Sequence, residues 1–391
     1  MTLADKFLIL VLALVFLDYG SYGYIFVVFL FPYFIRIQKK ISINFIFLFL
    51  FGLLYITYAK FNGYEVSANV IIRFLLLYPM LYSIGYNIVK NKTQEQIVKI
   101  ISLFAISIGL LALLSVYKSI NEFGFVYIAR SLPLIGVSTE YISATGLFSR
   151  LSLMVTFSAF IFLQQKKMVI FNLILTVIGI VAFIASLRLQ SRTSIVLFIL
   201  SYLLIFYLSW KDIKFTKKMA LVVFSFIIIY LIAYFAIANQ ESLLILNRLE
   251  DSSELKTGGG RMQLLTGYIN EMIDYPFGVP AELSKKSGYA HNIFIDCFKV
   301  AGVFPFILLV MLYCHNIYTV VKLYKIRYKF MDSFKAMLIL FNLAILIVFF
   351  AEPVLEGISV IFAFFCFLLG FQKGVYQYKY VLPNKHTIRV L

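Results

Sequence analysis

Long apolar runs separated by short polar connections repeat along the whole chain. A run of about 20 residues crosses the ~30 Å hydrocarbon core of a bilayer, and it must be helical because lipid cannot satisfy open backbone groups. The pattern predicts an all-α, polytopic integral membrane protein with about twelve spans in a single membrane domain, residues 1–391. The expected spans lie near 5–17, 21–36, 41–58, 67–89, 97–118, 142–164, 168–187, 191–210, 217–237, 291–322, 333–351 and 354–373.

Composition points to the same class of protein. Hydrophobic residues make up 62% of the chain and charged residues only 14%, whereas about a quarter of the residues in a soluble domain are charged. The first run is followed by "DYGSYG" and then by another apolar run. Because no small-residue cleavage site follows it, we expect a retained span and not a secretory signal peptide.

Basic residues are concentrated in alternate connections between the spans. The positive-inside rule places those connections and both termini in the cytoplasm. The net charge of +17 is then mostly a topology signal with some contact to anionic lipid, and no nucleic-acid partner is expected. The basic connections hold Arg36, Lys39, Lys40, Lys90, Lys92, Lys166, Lys167, Lys211, Lys214, Lys217, Lys218, Lys322, Lys325, Arg327, Lys329, Lys373, Lys379, Lys385 and Arg389. The opposite set holds Glu65, Glu122, Glu140, Glu352 and Glu356.

The longest connection, residues 238–290, is predicted to be a large extracytoplasmic loop. A loop of this length in a compact protein is usually functional. Its segment "LLTGYINEMIDY" has the apolar spacing of a helix, which we expect to lie on the membrane surface. "TGGGR" before it reads as a flexible turn, and "PFGVP" after it is expected to break the helix.

Two arginines interrupt the external end between the seventh and eighth expected spans. Arg188 and Arg192 are four residues apart, so they share one face if the segment is helical. Arginine forks bind phosphate oxygens bidentately, which favours a bound anion. The alternative is that both side chains reach out to lipid phosphates. Arg188 is expected to tolerate substitution better, because it could lie at the lipid boundary.

Further arginines occur at unusual places. Arg150 lies about nine residues into the sixth expected span, roughly 13 Å along a helix, where charge is costly and a functional role is the default. An apolar cavity wall or a structural pair with Glu140 is the competing interpretation. Arg73 lies at similar depth in the fourth span. Arg261 follows three glycines and could equally be a solvated loop charge.

His291 and Asn292 open the tenth expected span at the external surface. His291 is the only histidine predicted outside, whereas His315 and His386 are interpreted as structural or tail residues. Three scattered histidines and no paired carboxylates argue against a metal site, and no phosphate-binding loop indicates a nucleotide cofactor. The cysteines Cys297, Cys314 and Cys366 are expected to be buried hydrophobic residues, because their spacing fits neither a disulfide framework nor a metal site.

The motif "SRTSIVLFILSYLLIF", followed by "GGGR…IDYPFGVP…HNIFIDCFKVAG", resembles the O-antigen polymerase and ligase superfamily. Its members show a serine-arginine pair at the external start of a span. They also have a long external loop with a glycine-preceded arginine and a P-x-G turn, and a histidine-asparagine pair that opens the next span. The resemblance covers about residues 185 to 305 by motif. It departs where family members commonly have an aromatic residue after the loop arginine, since this chain reads "MQLL".

The resemblance implies a metal-independent, cofactor-free glycosyltransferase of the GT-C-like membrane fold in the bacterial cytoplasmic membrane. Such an enzyme takes a glycan from an undecaprenyl diphosphate carrier at the periplasmic face. It implies that Arg188, Arg192 and Arg261 hold the diphosphate, and Arg150 is a further candidate for diphosphate binding because of its depth in the sixth expected span. It also implies that His291 accepts the acceptor's proton and that Asn292 orients the acceptor. Membrane lipids and a chain-length regulator protein are the further partners.

Three functions stay open at this point. A polymerase passes the glycan to the next lipid-linked repeat unit, and a ligase passes it to lipid A-core. A flippase for lipid-linked oligosaccharide also fits twelve spans, but transporters tend to show internal repeats and broken helices, and the sequence shows no clear repeat. The 42 phenylalanines and 27 tyrosines resemble the composition of serotype-specific polymerases, which favours the polymerase.

Overall fold

The computed structural model shows an almost entirely helical chain, with 86% of the described residues in helices. The all-α, multi-pass architecture is therefore confirmed in outline. The structure describes residues 3–18, 25, 27–37, 42–125, 131–135, 141–163, 168–189, 191–210, 261–287, 291–325, 333–352 and 354–381. The ninth expected span, 217–237, and the loop up to residue 260 lie outside this described part of the chain.

Fifteen helices, a π-helical segment Tyr376–Val381 that continues the last of them, and one small hairpin form the regular structure of these described residues. The helices are α1 Leu3–Leu17, α2 Val27–Ile37, α3 Ile43–Phe61, α4 Ala68–Ile88, α5 Gln94–Phe123, α6 Ala144–Phe162, α7 Val169–Arg188, α8 Arg192–Ser209, α9 Arg261–Asp274, α10 Ala281–Ser287, α11 Ile293–Ala301, α12 Val303–Lys325, α13 Ser333–Ala351, α14 Val354–Gly357 and α15 Ser359–Val375. The hairpin pairs β1 Ser131–Pro133 with β2 Tyr141–Ser143, antiparallel, with Ser131 opposite Ser143.

Nine of the helices in the described residues are long and apolar enough to cross a membrane, namely α3 to α8, α12, α13 and α15. The seventh and eighth expected spans agree with α7 and α8 to within a residue or two. Helices α1 and α2 have 15 and 11 residues and are shorter than a full span. The count of twelve stays a prediction, as does the single membrane domain.

The tenth expected span, 291–322, is wrong as one continuous helix. The structure breaks it at Gly302, whose φ of 76° lies in the left-handed region that favours glycine. A Cβ at this position would collide with the backbone of Phe277. The chain therefore forms a short helix, α11, and a separate spanning helix, α12. The twelfth expected span similarly begins with the short α14, and its spanning helix α15 starts only at Ser359.

Backbone contacts divide the chain into two compact units. Unit 1 comprises residues 1–108, 263–326 and 348–391. Its centre is the close approach of α15 to the second half of α4, where added Cβ atoms at Gly370 and Gly374 would collide with the carbonyl oxygens of Tyr82 and Tyr86. Small residues four apart allow helices to pack this closely in membrane proteins.

Unit 2 comprises residues 109–262 and 327–347. Helix α6 is its most enclosed span, with 89% of its apolar window buried. Gly179 of α7 packs against the backbone of Phe157 and Ser158 in α6, where a Cβ would not fit. The rings of Phe183 and Phe198 stack at 4.0 Å between α7 and α8. Interlocking aromatic side chains thus supply much of the core of this unit.

Candidate functional site

Helix α11 in unit 1 begins with a capped N-terminus at Asn292. The Asn292 side-chain oxygen accepts hydrogen bonds from the backbone N–H groups of Phe294 at 3.0 Å and Ile295 at 3.3 Å. The backbone N–H of Asn292 in turn donates to a carboxylate oxygen of Asp296 at 3.3 Å. These bonds satisfy donors that a helix start otherwise leaves unpaired. Capping accounts for Asn292, and its role in orienting an acceptor stays a prediction.

His291 immediately precedes this cap and holds a strained backbone conformation. Its φ is 55°, in the left-handed region that few non-glycine residues adopt. Residues in this conformation persist only where the surrounding structure stabilises them, and they cluster at functional sites. The side chain is 33% exposed, so a ligand can reach the imidazole. The capped helix that follows holds the backbone of His291 in place.

The buried carboxylate of Glu352 lies beside this imidazole. A Glu352 oxygen is 3.8 Å from Nδ1 of His291, and the Glu352 side chain is only 1% exposed. Glu352 follows the last turn of α13, with its N–H donating to the carbonyl oxygen of Val348. Packing of Phe294 against Phe350, with ring centroids 5.5 Å apart, joins the two helix ends. The sequence predicts no role for Glu352 beyond marking the external side of the membrane. The available signal was an acid that ends an apolar run.

A second charged side chain is buried behind the cap. Lys299, 4% exposed, donates from Nζ to the carbonyl oxygen of Ser284 at 3.3 Å. The same nitrogen lies 4.5 Å from the ring centroid of Tyr268. These contacts tie α9 and α10, the described helices of the long loop, to α11. Lys299 therefore has a structural explanation.

The "PFGVP" turn ends helix α9, as the sequence predicted, and is held firmly inside unit 1. The Asn62 side-chain nitrogen donates to the carbonyl oxygens of Phe277 at 2.9 Å and Val300 at 3.1 Å. Gly278 has a φ of 106°, and a Cβ there would collide with the Asn62 side chain. The helix predicted for "LLTGYINEMIDY" is also confirmed, since α9 covers all of this segment except Tyr275. Its position on the membrane surface stays a prediction.

Arg73 lies at the start of a π-helical turn, Arg73–Leu77, within α4. Its Nη1 donates to the hydroxyl oxygen of Ser359 at 3.0 Å. Arg73 lines a small cavity that also includes the buried Asp18. The hydrogen bond to Ser359 thus satisfies part of the Arg73 guanidinium group without a ligand.

The four-residue spacing of Arg188 and Arg192 does not place them on one helix face. Arg188 is the last residue of α7, and Arg192 is the first residue of α8. Ser191 caps α8, with its hydroxyl accepting from the Ser194 N–H at 3.3 Å. The condition for a shared face, a helical connection between the two spans, is therefore not met, because this cap starts a new helix. The two arginines instead occupy the adjoining ends of two consecutive spans in unit 2.

The burial of Arg188 does not support the alternative that its side chain reaches the lipid boundary. Arg188 is only 3% exposed, and its Nη2 lies 3.4 Å from both the Ser119 hydroxyl and the Gly124 carbonyl oxygen. Arg150 in α6 is 5% exposed, whereas Arg192 is half-buried. Burying a guanidinium is costly, so these positions need either strong internal partners or an anion.

The structure thus groups the predicted site residues in two places. His291 and Asn292 lie together in unit 1, and Arg150, Arg188 and Arg192 belong to unit 2. Arg261 starts α9, where only its backbone is described. Glu140 and His386 fall outside the described residues.

The described residues offer neither a cluster of metal ligands nor a disulfide. Among the residues that the structure describes, no group of three or more His, Cys, Asp or Glu side chains could hold a metal ion. The three cysteines are free thiols. Cys297 and Cys366 are buried as expected, but Cys314 is exposed on α12.

Fold and composition define a helical, multi-pass membrane protein. No family model matches the chain, and no curated protein is found to match it.

Proposed function

We propose that this protein is a membrane glycosyltransferase that polymerises undecaprenyl-diphosphate-linked repeat units into O-antigen or a similar surface polysaccharide. The observation that carries the proposal is the burial of Arg188 and Arg150, at 3% and 5% exposure, in helices able to span a membrane. Guanidinium groups held out of water interact strongly with an anion. A lipid diphosphate is the anion that a membrane enzyme of this kind releases.

The reaction assigns roles to the four arginines and to His291. The acceptor hydroxyl oxygen bonds to the anomeric carbon of the donor glycan as the bond from that carbon to the diphosphate oxygen breaks. The bonding electron pair leaves with the undecaprenyl diphosphate, where Arg150, Arg188, Arg192 and Arg261 stabilise the growing negative charge. His291 accepts the proton of the acceptor hydroxyl, since imidazole readily exchanges protons near neutral pH.

The exposure of His291 supports this division of roles. A general base must come within hydrogen-bond reach of the proton that it removes, and the imidazole is 33% exposed at the start of α11. Placement at a helix end holds the base more firmly than a loop would. Membrane lipids and a chain-length regulator protein are the proposed further partners.

The proposed site faces the periplasm, with both termini in the cytoplasm. A cysteine placed at Ser253 should react with an impermeant thiol reagent in intact cells with a permeabilised outer membrane. Burial raises the pKa of the Cys297 thiol, so Cys297 contributes little background, whereas the exposed Cys314 is replaced by serine. Labelling only after the inner membrane is broken would refute the topology.

Deletion of the gene in its native host tests the polymerase directly. Loss of a polymerase leaves lipid A-core capped with a single repeat unit. Long chains that stay on the carrier would instead identify a ligase. Accumulation of single lipid-linked units without any capped core would identify a flippase. Only the first outcome supports the proposal.

A further inference from the structure

Burial of the Glu352 carboxylate away from water costs free energy. Its side chain is 1% exposed, and neither of its oxygens accepts a hydrogen bond from the part of the chain that the structure describes. An ionised carboxylate without hydrogen bonds is among the most unfavourable groups to bury. A glutamate in this position therefore needs a partner or a function.

The location of Glu352 adds to this cost. It directly follows helix α13, Ser333–Ala351, and the C-terminal end of a helix carries a partial negative charge. Asp296 of α11 is also a buried acid, but its carboxylate accepts a hydrogen bond from the backbone N–H of Asn292. The ionisable group that the structure places beside Glu352 is the imidazole of His291, with Nδ1 at 3.8 Å from a carboxylate oxygen.

We infer that Glu352 is the positioning residue for His291, an inference that rests on the proposed glycosyl transfer. The Glu352 carboxylate attracts the proton of the imidazole to Nδ1. The hydrogen bond made by one ring nitrogen decides which nitrogen carries the proton. The lone pair of Nε2 is then directed away from Glu352 and is available for the acceptor hydroxyl.

The difference in exposure separates the two roles. Glu352 is closed to ligands at 1% exposure, whereas His291 is 33% exposed. The carboxylate therefore acts only through the imidazole, as the buried acid of a hydrolase triad does. It also stabilises the imidazolium that forms when His291 takes up the proton. The 3.8 Å separation fits a ligand-free site, where such contacts are often long and tighten on substrate binding.

Nitrogen NMR of the imidazole tests the inference without any assay of activity. The chain has three histidines, so His315→Gln and His386→Gln together leave His291 as the only imidazole. Spectra of ¹⁵N-histidine-labelled protein in alkaline buffer distinguish the Nδ1–H and Nε2–H forms, because an ordinary imidazole is neutral there. We expect mainly the Nδ1–H form, and a shift toward Nε2–H in Glu352→Gln.

A spectrum of the single-histidine protein that shows mainly the Nε2–H form would overturn the inference. An unchanged spectrum in a folded Glu352→Gln variant would overturn it as well. If Glu352→Gln does not accumulate, the spectrum of the single-histidine protein with Glu352 intact still decides the question.

Kinetics with purified protein and lipid-linked repeat units form the second measurement. Loss of the hydrogen-bonding partner that orients a metal-ligating histidine typically costs about 10–100-fold in activity, and we take the same range for a partner that orients a catalytic imidazole. We expect Glu352→Gln to lower kcat by this amount with little change in KM, because substrate does not touch the carboxylate. Glu65→Gln is the matched control, since Glu65 is an exposed glutamate of the same unit, and it should leave both constants unchanged.

The two measurements separate the two claims. If the unsubstituted protein does not elongate lipid-linked repeats, the proposed function fails, while the tautomer of His291 still tests the pairing with Glu352. If elongation is observed and Glu352→Gln keeps full kcat, the inference fails and the proposed function stands.

Discussion

His291 in unit 1 and the two arginines Arg150 and Arg188 in unit 2 lie in opposite environments. His291 is partly open, strained in its backbone and backed by the buried acid Glu352. Arg150 and Arg188 are almost completely buried, and Arg188 has neutral oxygens of Ser119 and Gly124 near its Nη2. A group that exchanges a proton has to be reached by the substrate. A fixed cation, by contrast, acts most strongly where water is excluded. The contrast therefore supports separate roles in proton transfer and charge stabilisation.

Substitution of His291 should have the largest effect on activity. General-base help is typically worth about 10²–10⁴-fold, so His291→Ala should abolish visible polymer. His291→Gln can form hydrogen bonds but cannot take up a proton at neutral pH, and it should be nearly as inactive. Polymer length on gels, at matched protein level, is the measurement.

The carrier-binding properties of these variants provide the control. Binding of the lipid carrier should stay close to normal, because His291 does not contact the diphosphate in the proposed reaction. Substantial polymerisation by His291→Gln would reduce the histidine to a hydrogen-bonding group that orients the acceptor.

Substitution of the arginines should have the next largest effect. Removal of one group that stabilises transition-state charge costs about 10²–10³-fold in kcat. Arg192→Lys should be nearly as damaging as Arg192→Ala, because lysine keeps the charge but loses the planar fork. Since Arg188 is the more deeply buried of the two, Arg188→Lys should be no better tolerated. Elongation rates of purified variants give the comparison.

Ser119→Ala is the matched control for Arg188. It removes a hydroxyl near the guanidinium and leaves the Gly124 carbonyl oxygen in place, so we expect a much smaller loss than for Arg188→Lys. Recovery of most activity by either lysine variant would show that a general positive field suffices.

Substitution of the cap at Asn292 should mainly affect stability. Loss of an N-cap side chain costs about 1 kcal/mol, so Asn292→Ala should lower the midpoint of thermal unfolding. Asn292→Ser retains a capping oxygen and should keep both stability and most of the activity. A marked loss of elongation in Asn292→Ser at unchanged stability would instead support the role in orienting the acceptor.

Removal of divalent metal should have no effect. The scattered histidines and the arginine-rich set of candidate residues predict that charge is stabilised by guanidinium groups. Purified protein in excess chelator should elongate lipid-linked repeats at an unchanged rate. A rate that collapses and returns on addition of magnesium would contradict this prediction.

Much of the fold could be predicted because each spanning helix is encoded locally. The apolar runs that became α7 and α8 were placed to within a residue or two. The break at Gly302 was missed, because hydropathy averages over a window and gives little weight to one glycine. The turn at Gly302 depends on the backbone of Phe277, a contact that no local pattern contains.

The candidate site was predictable only in its residue types. His291 and the arginines stand out as rare polar groups in an apolar chain. The pairing of His291 with Glu352 depends on how α11 packs against the end of α13, and a single sequence carries no record of that. The position of Arg188 and Arg192 between two expected spans, in contrast, follows from hydropathy alone, and the structure assigns them to different helices.

The hydrogen bonds of Asn62 have a consequence for biosynthesis. The two carbonyl groups that Asn62 binds lie 215 and 238 residues further along the chain. Contacts this distant in sequence form late, because the intervening chain has to be ordered first. During synthesis α3 therefore enters the membrane long before the turn that it will hold, and Phe277 and Val300 reach Asn62 only after most of the spans have been inserted. Helix α11, which follows His291 and Asn292 and carries Val300 near its C-terminal end, thus gains its contact with Asn62 only near the end of assembly.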